Sequence, residues 1–174
     1  NLLSAGNSTD LIAGSGGLTL SGGGILALGN NTNNRIYGTT VTTTLINLDN
    51  TIRGAGQIGA NQLQLDNRGL IEAHLAGATL TLDPSGSGFV NSGTLARSGA
   101  GTTTNFNASG GTAFTVSNTG IGVMDVQSGT LAIGVASGGL GATGSYNHAG
   151  SVTVASGGVF NFRESGTNTG SYTL

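Results

Sequence analysis

The chain repeats one short phrase three times at a step of 17 residues: Ile46-Asn47-Leu48-Asp49, Leu63-Gln64-Leu65-Asp66 and Leu80-Thr81-Leu82-Asp83. Each copy alternates apolar and polar residues, ends in Asp, and is followed by Asn or Pro. Alternation over so few residues predicts a short strand with one buried face, and the acid with its successor predicts a turn. A strand this short cannot bury its apolar face alone. The copies are therefore expected to stack as the coils of a solenoid.

The phrase also predicts how the coils superimpose. A coil of 17 residues puts Ile46, Leu63 and Leu80 in one inward column and Leu48, Leu65 and Leu82 in a second. The outward column between them consists of Asn47, Gln64 and Thr81, and the turn carries Asp49, Asp66 and Asp83. Four asparagines each lie just ahead of the next pair of apolar residues. We expect their side-chain amides to stack along the axis: Asn50, Asn67, Asn91 and Asn118.

Later repeats have a different spacing. The stretch Ser92-Gly93-Thr94-Leu95-Ala96 recurs as Ser128-Gly129-Thr130-Leu131-Ala132, and Thr143-Gly144-Ser145-Tyr146 recurs as Thr169-Gly170-Ser171-Tyr172. Such drift is expected where strands keep their register while loops on one side vary in length. The sequence therefore predicts an all-β solenoid with coils of roughly 17–29 residues, formed as one unit by residues 1–174. The chain stops within a repeat, which predicts a segment of a longer repeat protein.

Composition narrows the class of protein. There are 34 glycines, one proline and no cysteine, and 36% of the residues are hydrophobic. This apolar fraction is too high for a disordered polar tract, and the glycines lack the period of collagen. Without cysteine there is no disulfide scaffold and no thiolate metal site. The net charge is −2, with five scattered arginines and no lysine, so neither nucleic acid nor membrane insertion of this segment is expected.

Two motifs resemble functional sites, one an acidic metal-binding or catalytic site and the other a dinucleotide-binding site. Stacked acids at Asp49, Asp66 and Asp83 would suit calcium or a polysaccharide-cleaving groove, although capping of each turn by its own Asp is the favoured interpretation. Residues Gly54-Ala55-Gly56-Gln57-Ile58-Gly59 match the dinucleotide fingerprint. That motif must open a helix, whereas the residues that follow it here alternate like a strand. We therefore predict no nucleotide site.

The remaining candidates are weaker. Glu72 and His74 would share a strand face and could pair, whereas His148 has no second histidine at ligand spacing. The threonines at 40, 42–44 and 102–104 suggest an ice-binding array but lack the spacing of one Thr-x-Thr per coil. Three N-x-[ST] glycosylation acceptors begin at Asn7, Asn30 and Asn107, but such triplets arise readily in a chain rich in Asn and Thr. The sequence thus predicts no catalytic residue, no metal ligand and no cofactor.

The repeats resemble those of a known group of proteins. Gly93-Thr94-Leu95, Gly129-Thr130-Leu131 and Leu48-Asp49-Asn50-Thr51-Ile52 look like repeats in bacterial autotransporter passengers and filamentous-haemagglutinin-type adhesins. The resemblance covers nearly the whole chain and is one of repeat style. It implies a right-handed parallel β-helix, export across a bacterial outer membrane, and a structural or adhesive stalk. It supplies no catalytic motif to carry over.

These observations favour a non-enzymatic, extracellular structural or adhesive segment on a bacterial surface. Its binding would lie in three loops, Asn30–Asn34, Ala100–Asn105 and Ala136–Ser145. Candidate partners are the host-cell surface, glycans and other bacterial surface molecules. The alternatives are a carbohydrate-binding or carbohydrate-cleaving β-helix, a phage tail-fibre segment, and a subunit that self-associates end to end or laterally into fibres.

Overall fold

The computed structural model describes residues 1–101, 103–108, 113–134, 140–141 and 143–174. These residues form twenty β-strands and no helix, and every strand pairing is parallel. The strands belong in turn to three sheets, so that each coil contributes one strand to each sheet. The predicted all-β parallel solenoid is confirmed, with about six turns.

Sheet 1 contains β1 (Thr9–Ala13), β4 (Asn34–Gly38), β7 (Gly56–Gly59), β10 (Leu80–Leu82), β13 (Thr103–Phe106), β16 (Gly129–Ile133) and β19 (Gly158–Phe162). Sheet 2 contains β2 (Leu18–Leu20), β5 (Thr44–Asn47), β8 (Gln64–Asn67), β11 (Phe89–Asn91), β14 (Thr115–Asn118) and β17 (Ser145–His148). Sheet 3 contains β3 (Ile25–Ala27), β6 (Thr51–Arg53), β9 (Leu70–Ala73), β12 (Thr94–Arg97), β15 (Val123–Val126), β18 (Ser151–Val154) and β20 (Ser171–Thr173).

The core consists of apolar columns that run along the solenoid axis. One column in sheet 2 includes Leu45, Leu65, Phe89, Val116 and Tyr146, all buried. Sheet 3 contributes a second column: Ile52, Ile71, Leu95, Met124 and Val152. Sheet 1 contributes a third: Ile36, Ile58, Leu82, Phe106 and Ile133. Alternate residues of each short strand thus face the same interior, as the two-residue period requires.

The 17-residue frame is wrong. Ile46 pairs with Asp66, whereas the third phrase lies in sheet 1, where Leu80 pairs with Gly56. Asn47, predicted to face outward, is fully buried, and Leu48, predicted to face inward, is 42% exposed. The inward residue of β5 is Leu45, so the strand is shifted by one residue from the prediction. A shift of one residue turns every side chain of a strand to the opposite face.

Buried amides form a ladder at the end of sheet 2. Asn47 Nδ2 donates to Asn67 Oδ1 at 2.9 Å, Asn67 Nδ2 to Asn91 Oδ1 at 2.8 Å, and Asn91 Nδ2 to Asn118 Oδ1 at 2.8 Å. The predicted stacking is confirmed for Asn67, Asn91 and Asn118. Asn50 is not a rung; its carbonyl oxygen instead accepts a hydrogen bond from Asn47 Nδ2 at 2.9 Å. The rungs are separated by 20, 24 and 27 residues, which are the true lengths of these coils.

The ladder has a direction. Asn118 Oδ1 accepts from Asn91, so Asn118 Nδ2 is the atom that faces His148 Nδ1, at 3.1 Å. His148 Nδ1 must therefore be the acceptor, and Nε2–H donates to Ser171 O at 3.3 Å. At the opposite end, Asn47 Oδ1 is buried without a hydrogen-bond partner among the described residues. The neighbouring residue at that end of the column is Leu20.

Leu20→Asn is expected to extend the ladder by one rung. The new amide would donate to Asn47 Oδ1, which offsets the loss of a half-buried leucine because an unsatisfied buried acceptor costs about 1–3 kcal/mol. The control is Leu18→Asn on the same strand. Its neighbour in the next coil is Leu45, whose side chain offers no hydrogen-bond acceptor. Denaturant unfolding should find Leu20→Asn more stable than Leu18→Asn by at least about 1 kcal/mol. Equal losses would contradict the prediction.

Glycines occupy the edge between sheets 2 and 3, next to the ladder: Gly69, Gly93, Gly122, Gly150 and Gly170. A Cβ on Gly93 would lie 2.2 Å from Gly69 O, and one on Gly150 would lie 2.1 Å from Gly122 O. These carbonyl groups also accept hydrogen bonds from the following coil, for example from Thr94 N to Gly69 O at 2.8 Å. Successive coils can therefore superimpose at this edge only where the corner residue has no side chain.

Candidate functional site

The segments that join the three sheets form three edges of the solenoid, and their length varies at two of them. The sequence predicted variation on one side only. The edge with the amide ladder varies least, since Asn67, Asn91 and His148 precede an inward residue of sheet 3 by four positions, Asn47 by five and Asn118 by six. The variable edges lie between sheets 1 and 2 and between sheets 3 and 1. Two predicted binding loops, Asn30–Asn34 and Ala100–Asn105, lie at the second of these. The third, Ala136–Ser145, lies at the first of these edges, and its residues 136–139 and 142 are outside the described part of the chain.

One coil turns much more tightly than its neighbours between sheets 3 and 1. Only Gly54 and Ala55 separate Arg53 from Gly56, whereas the flanking coils use residues 28–33 and 73–79 at the same place. The tight corner needs glycine: both Gly54 and Gly56 have φ of 132°, and a Cβ on Gly54 would lie 1.9 Å from Leu28 O. The two longer corners therefore form walls around a notch with Ala55 at its floor.

A second notch occurs further along the same edge. Its lining includes Ala100, Gly101, Ser128, Gly129 and Gly157, and its volume is about 400 Å³. The first notch, lined by Asn30, Asn31, Thr32 and Gly77–Thr79 above Ala55, has a volume of about 360 Å³. Both volumes fall in the lower part of the range of ligand sites in proteins.

Both notches share one column of residues, which we call the floor column: Ala55, Thr79, Thr103, Thr130 and Val159. Ala55 and Thr79 line the first notch, and the other three line the second. The hydroxyl groups of Thr79, Thr103 and Thr130 make no hydrogen bond to any described residue. Val159 is 49% exposed. We call the two notches and the floor column together the edge groove, in which the longer corners separate one notch from the other along the axis.

A second outward column lies beside the floor column on sheet 1. We call it the amide column: Gln57, Thr81, Asn105, Ala132 and Asn161. Its three amides, Gln57, Asn105 and Asn161, are half-buried and occur in every second coil. None of them forms a side-chain hydrogen bond within the described part of the chain. These amides are free to bind a ligand from the solvent side of the sheet.

The amide column continues into a charged cluster at one end of sheet 1. Arg35 donates from Nε to Asp10 Oδ1 at 2.8 Å and from Nη2 to Asp10 Oδ2 at 2.6 Å. Tyr37 Oη donates to Asp10 Oδ2 at 3.2 Å, and the Arg35 guanidinium lies 5.3 Å from the centre of the Tyr37 ring. The hydrogen bond from Arg35 holds the pKa of Asp10 below its usual value. The pair fixes both side chains in a half-buried, bidentate geometry.

This cluster predicts a pH effect on stability. Because the Asp10 pKa is lower in the folded chain, the pair stabilises the fold above the unfolded-state value of about 3.9, and the contribution is lost as pH falls through the folded pKa. Asp10→Asn should make the free energy of unfolding fall less steeply as the pH decreases below about 4. The difference should stay below about 1 kcal/mol, since the pair is partly exposed. Identical slopes would show that the pair contributes nothing.

The three acids of the repeated phrase do not converge. Asp49 Oδ1 accepts from Gly23 N at 3.2 Å, and Asp66 forms an ion pair with Arg68 at 2.6 Å. Asp83 is buried at the end of β10 in another sheet. In the described part of the chain, no group of three acidic, histidine or cysteine side chains could hold a metal ion. The acid column predicted by the 17-residue frame therefore does not exist.

The other candidates occupy separate places. Glu72 accepts a hydrogen bond from Ser98 Oγ at 2.6 Å and forms none with His74 among the described residues. Gly54–Gly59 contributes a corner and strand β7, and is followed by a turn in which Ala60 and Asn61 have positive φ. In one corner, Thr40 Oγ1 forms hydrogen bonds with Thr42 Oγ1 and Thr43 Oγ1, each at 3.1 Å, whereas Thr102 lies outside the described residues. No described segment is a helix of the length and hydrophobicity needed to span a membrane.

The sequence prediction missed the amide column and the shared floor of the notches. Their members are ordinary polar residues whose relation appears only once strand register is known. The ladder, in contrast, has a signal in the sequence, since Asn67-Arg68-Gly69, Asn91-Ser92-Gly93 and Asn118-Thr119-Gly120 share the pattern Asn-x-Gly. Comparison of the chain with family models, with curated proteins and with solved structures gives no match.

Proposed function

We propose that this chain is a non-enzymatic structural and adhesive segment of a bacterial surface protein. The observation that carries the proposal is the unbroken stack of in-register coils, a rod that exposes the two notches of the edge groove at one of its edges. Six coil steps of about 4.8 Å extend roughly 30 Å. Such a rod suits a spacer that holds a binding surface away from a cell. The resemblance of its repeats to those of surface adhesins supports an extracellular location.

The partners proposed are glycans, host-cell surfaces or other bacterial surface molecules, with no role for nucleic acid or for membrane insertion of this segment. Among the described residues of the two notch linings and the floor column, no side chain is charged and none is larger than valine. An uncharged polar surface favours hydroxyl-rich partners over polyanions, which need concentrated positive charge.

Beads coated with the purified chain test this proposal on a glycan array and on cultured cells. Adhesion above that of beads coated with an unrelated protein of equal size is expected. Absence of binding to every glycan and cell surface would leave an inert spacer and overturn the adhesive part of the proposal. Sedimentation over a wide concentration range tests whether the chain instead adheres to copies of itself.

A further inference from the structure

We propose that the solenoid contains a proton-operated switch, in which protonation of His148 opens the coil that covers this side chain. We call that coil the cover segment; it consists of residues 163–174 and includes β20. The switch follows from two features of the structure: the fixed direction of the amide ladder that ends at His148, and the few contacts that hold the cover segment. It does not depend on the proposed adhesive function.

The ladder accommodates only the neutral form of His148. Asn118 Nδ2 faces His148 Nδ1 at 3.1 Å. The same Nδ2 also donates to Gly122 O at 3.1 Å and to Ser151 O at 3.3 Å. Rotation of this amide by half a turn would place its oxygen against both carbonyl oxygens, and its nitrogen against Nδ2 of Asn91. The donor therefore stays in place, and a proton on His148 Nδ1 would point at it.

The preceding rungs prevent the whole ladder from reversing its direction. Asn91 Nδ2 donates to Val123 O at 3.0 Å, and Asn67 Nδ2 donates to Thr94 O at 3.0 Å. In a reversed ladder, an amide oxygen would face a carbonyl oxygen in each of these coils. The hydrogen bonds of several coils thus fix which atom of Asn118 meets the imidazole.

The surroundings of His148 offer no carboxylate to a positive charge. The side chain is 1% exposed, and no carboxylate oxygen of a described residue lies within 4 Å of its ring nitrogens. Strands β14, β18 and β19 carry no titratable side chain, whereas β17 and β20 contribute Tyr146 and Tyr172. The cover segment contains Arg163 and Glu164, and among the described residues neither forms a hydrogen bond with His148. Burial of a charge without such a partner is costly.

The cover segment can move away from His148 more easily than any other neighbour. Among the described strands β20 pairs only with β18, and most residues of the segment are exposed. Its hydrogen bonds to β17 include Tyr146 N to Ser165 O at 2.9 Å and His148 N to Thr167 O at 2.8 Å. His148 Nε2 donates to Ser171 O at 3.3 Å, which ties the ring to the segment. Detachment of this coil would hydrate the imidazole while the preceding coils stay paired.

Acid therefore favours the open state. The closed coil binds no proton at His148, whereas an exposed histidine takes one up at about pH 6.5. Because opening is coupled to the uptake of one proton, the opening equilibrium changes by up to about tenfold per pH unit below that value. From about pH 7.5 to about pH 5, the open population of the cover segment should rise at least tenfold.

Hydrogen exchange at these two pH values tests the proposal, with rates corrected for the intrinsic effect of pH. Protection of the Tyr146 and Ser171 amides should fall at least tenfold, while protection of the amides of β8 and β11 stays unchanged. His148→Asn replaces the imidazole with the side chain that forms the preceding rungs, so it should keep the hydrogen bond from Asn118 and abolish the effect of pH. The matched control, His74→Asn, should retain the effect.

Nitrogen NMR of the imidazole rings gives a second measurement if His148→Asn is unstable. Ring nitrogen shifts report protonation directly, and His74 serves as a reference within the same chain. In the closed form His148 should remain neutral, with its proton on Nε2, at about pH 5. Protonation of His148 in the closed form, unchanged protection in acid, or the same acid effect in His148→Asn would overturn the proposal. A parallel loss of protection in β8 and β11 would also overturn it, because opening would then be global.

Discussion

Asn91→Leu is expected to lower the free energy of unfolding by about 3 kcal/mol. Asn91 is the centre of the amide ladder: Oδ1 accepts from Asn67, and Nδ2 donates to Asn118 Oδ1 and to Val123 O at 3.0 Å. Leucine has nearly the same size but would leave a donor on Asn67 and an acceptor on Asn118 without this partner. Both atoms are buried, and each unsatisfied group costs about 1–3 kcal/mol, which exceeds the apolar gain.

The matched control is Asn105→Leu, which makes the same chemical change at a half-buried outward position of sheet 1. Denaturant unfolding should show a loss below about 1 kcal/mol for that variant. The double variant Asn67→Leu/Asn91→Leu should cost less than the sum of the single variants, since the two residues share one hydrogen bond. An Asn91→Leu loss no larger than that of Asn105→Leu would mean that the ladder does not contribute to stability.

The sequence allowed the fold class to be predicted because alternating apolar residues need a neighbouring coil to bury them. It did not determine the register. Thr44-Leu45-Ile46-Asn47-Leu48 contains apolar residues at adjacent positions, so alternation fits two registers equally well. Polar residues are usually exposed, which favoured an outward Asn47. The other register prevails because Asn47 donates a hydrogen bond to Asn67 inside the stack. The energy of that bond depends on both residues together, so neither residue alone predicts it.

The candidate site was predictable only in part. The polar loops Asn30–Asn34 and Ala100–Asn105 are visible in the sequence, and part of each lines the edge groove: residues 30–32 in the first notch, and Ala100, Gly101 and Thr103 in the second. The notch beside the first loop, however, depends on the shortness of the Gly54-Ala55 corner in the next coil. A difference in corner length between neighbouring coils has meaning only after their strands are aligned. The amide column likewise comes from residues separated by two coils, which no local pattern connects.

The corner glycines and the amide ladder act together to keep neighbouring coils in register. The ladder holds the ends of the sheet 2 strands at a fixed separation, and the glycines let the backbone of the next coil approach that end closely. Loops at the other two edges are free of this requirement and vary in length. This division explains how coils of 20 to 30 residues remain in register. It also places the surface available for binding at the edges that tolerate variation.

Gly122→Ala should therefore lower the free energy of unfolding by at least about 3 kcal/mol. A Cβ there would lie 2.2 Å from Asn91 O and 2.4 Å from Asn118 Oδ1. Neither atom can move freely, because Asn91 O accepts from Thr119 N at 2.9 Å and Asn118 Oδ1 is held by the ladder. Relief of the clash would require the two coils to separate at the edge where they are most tightly joined.

The control for this variant lies two residues away in the same corner. A Cβ on Gly120 would have nothing within 4 Å, so Gly120→Ala should change the free energy of unfolding by less than about 1 kcal/mol. Denaturant unfolding of the two variants separates a steric effect from the general effect of replacing glycine in a loop. Similar losses at both positions would show that backbone freedom limits this corner. A loss confined to Gly122→Ala would show that close approach between coils requires glycine there.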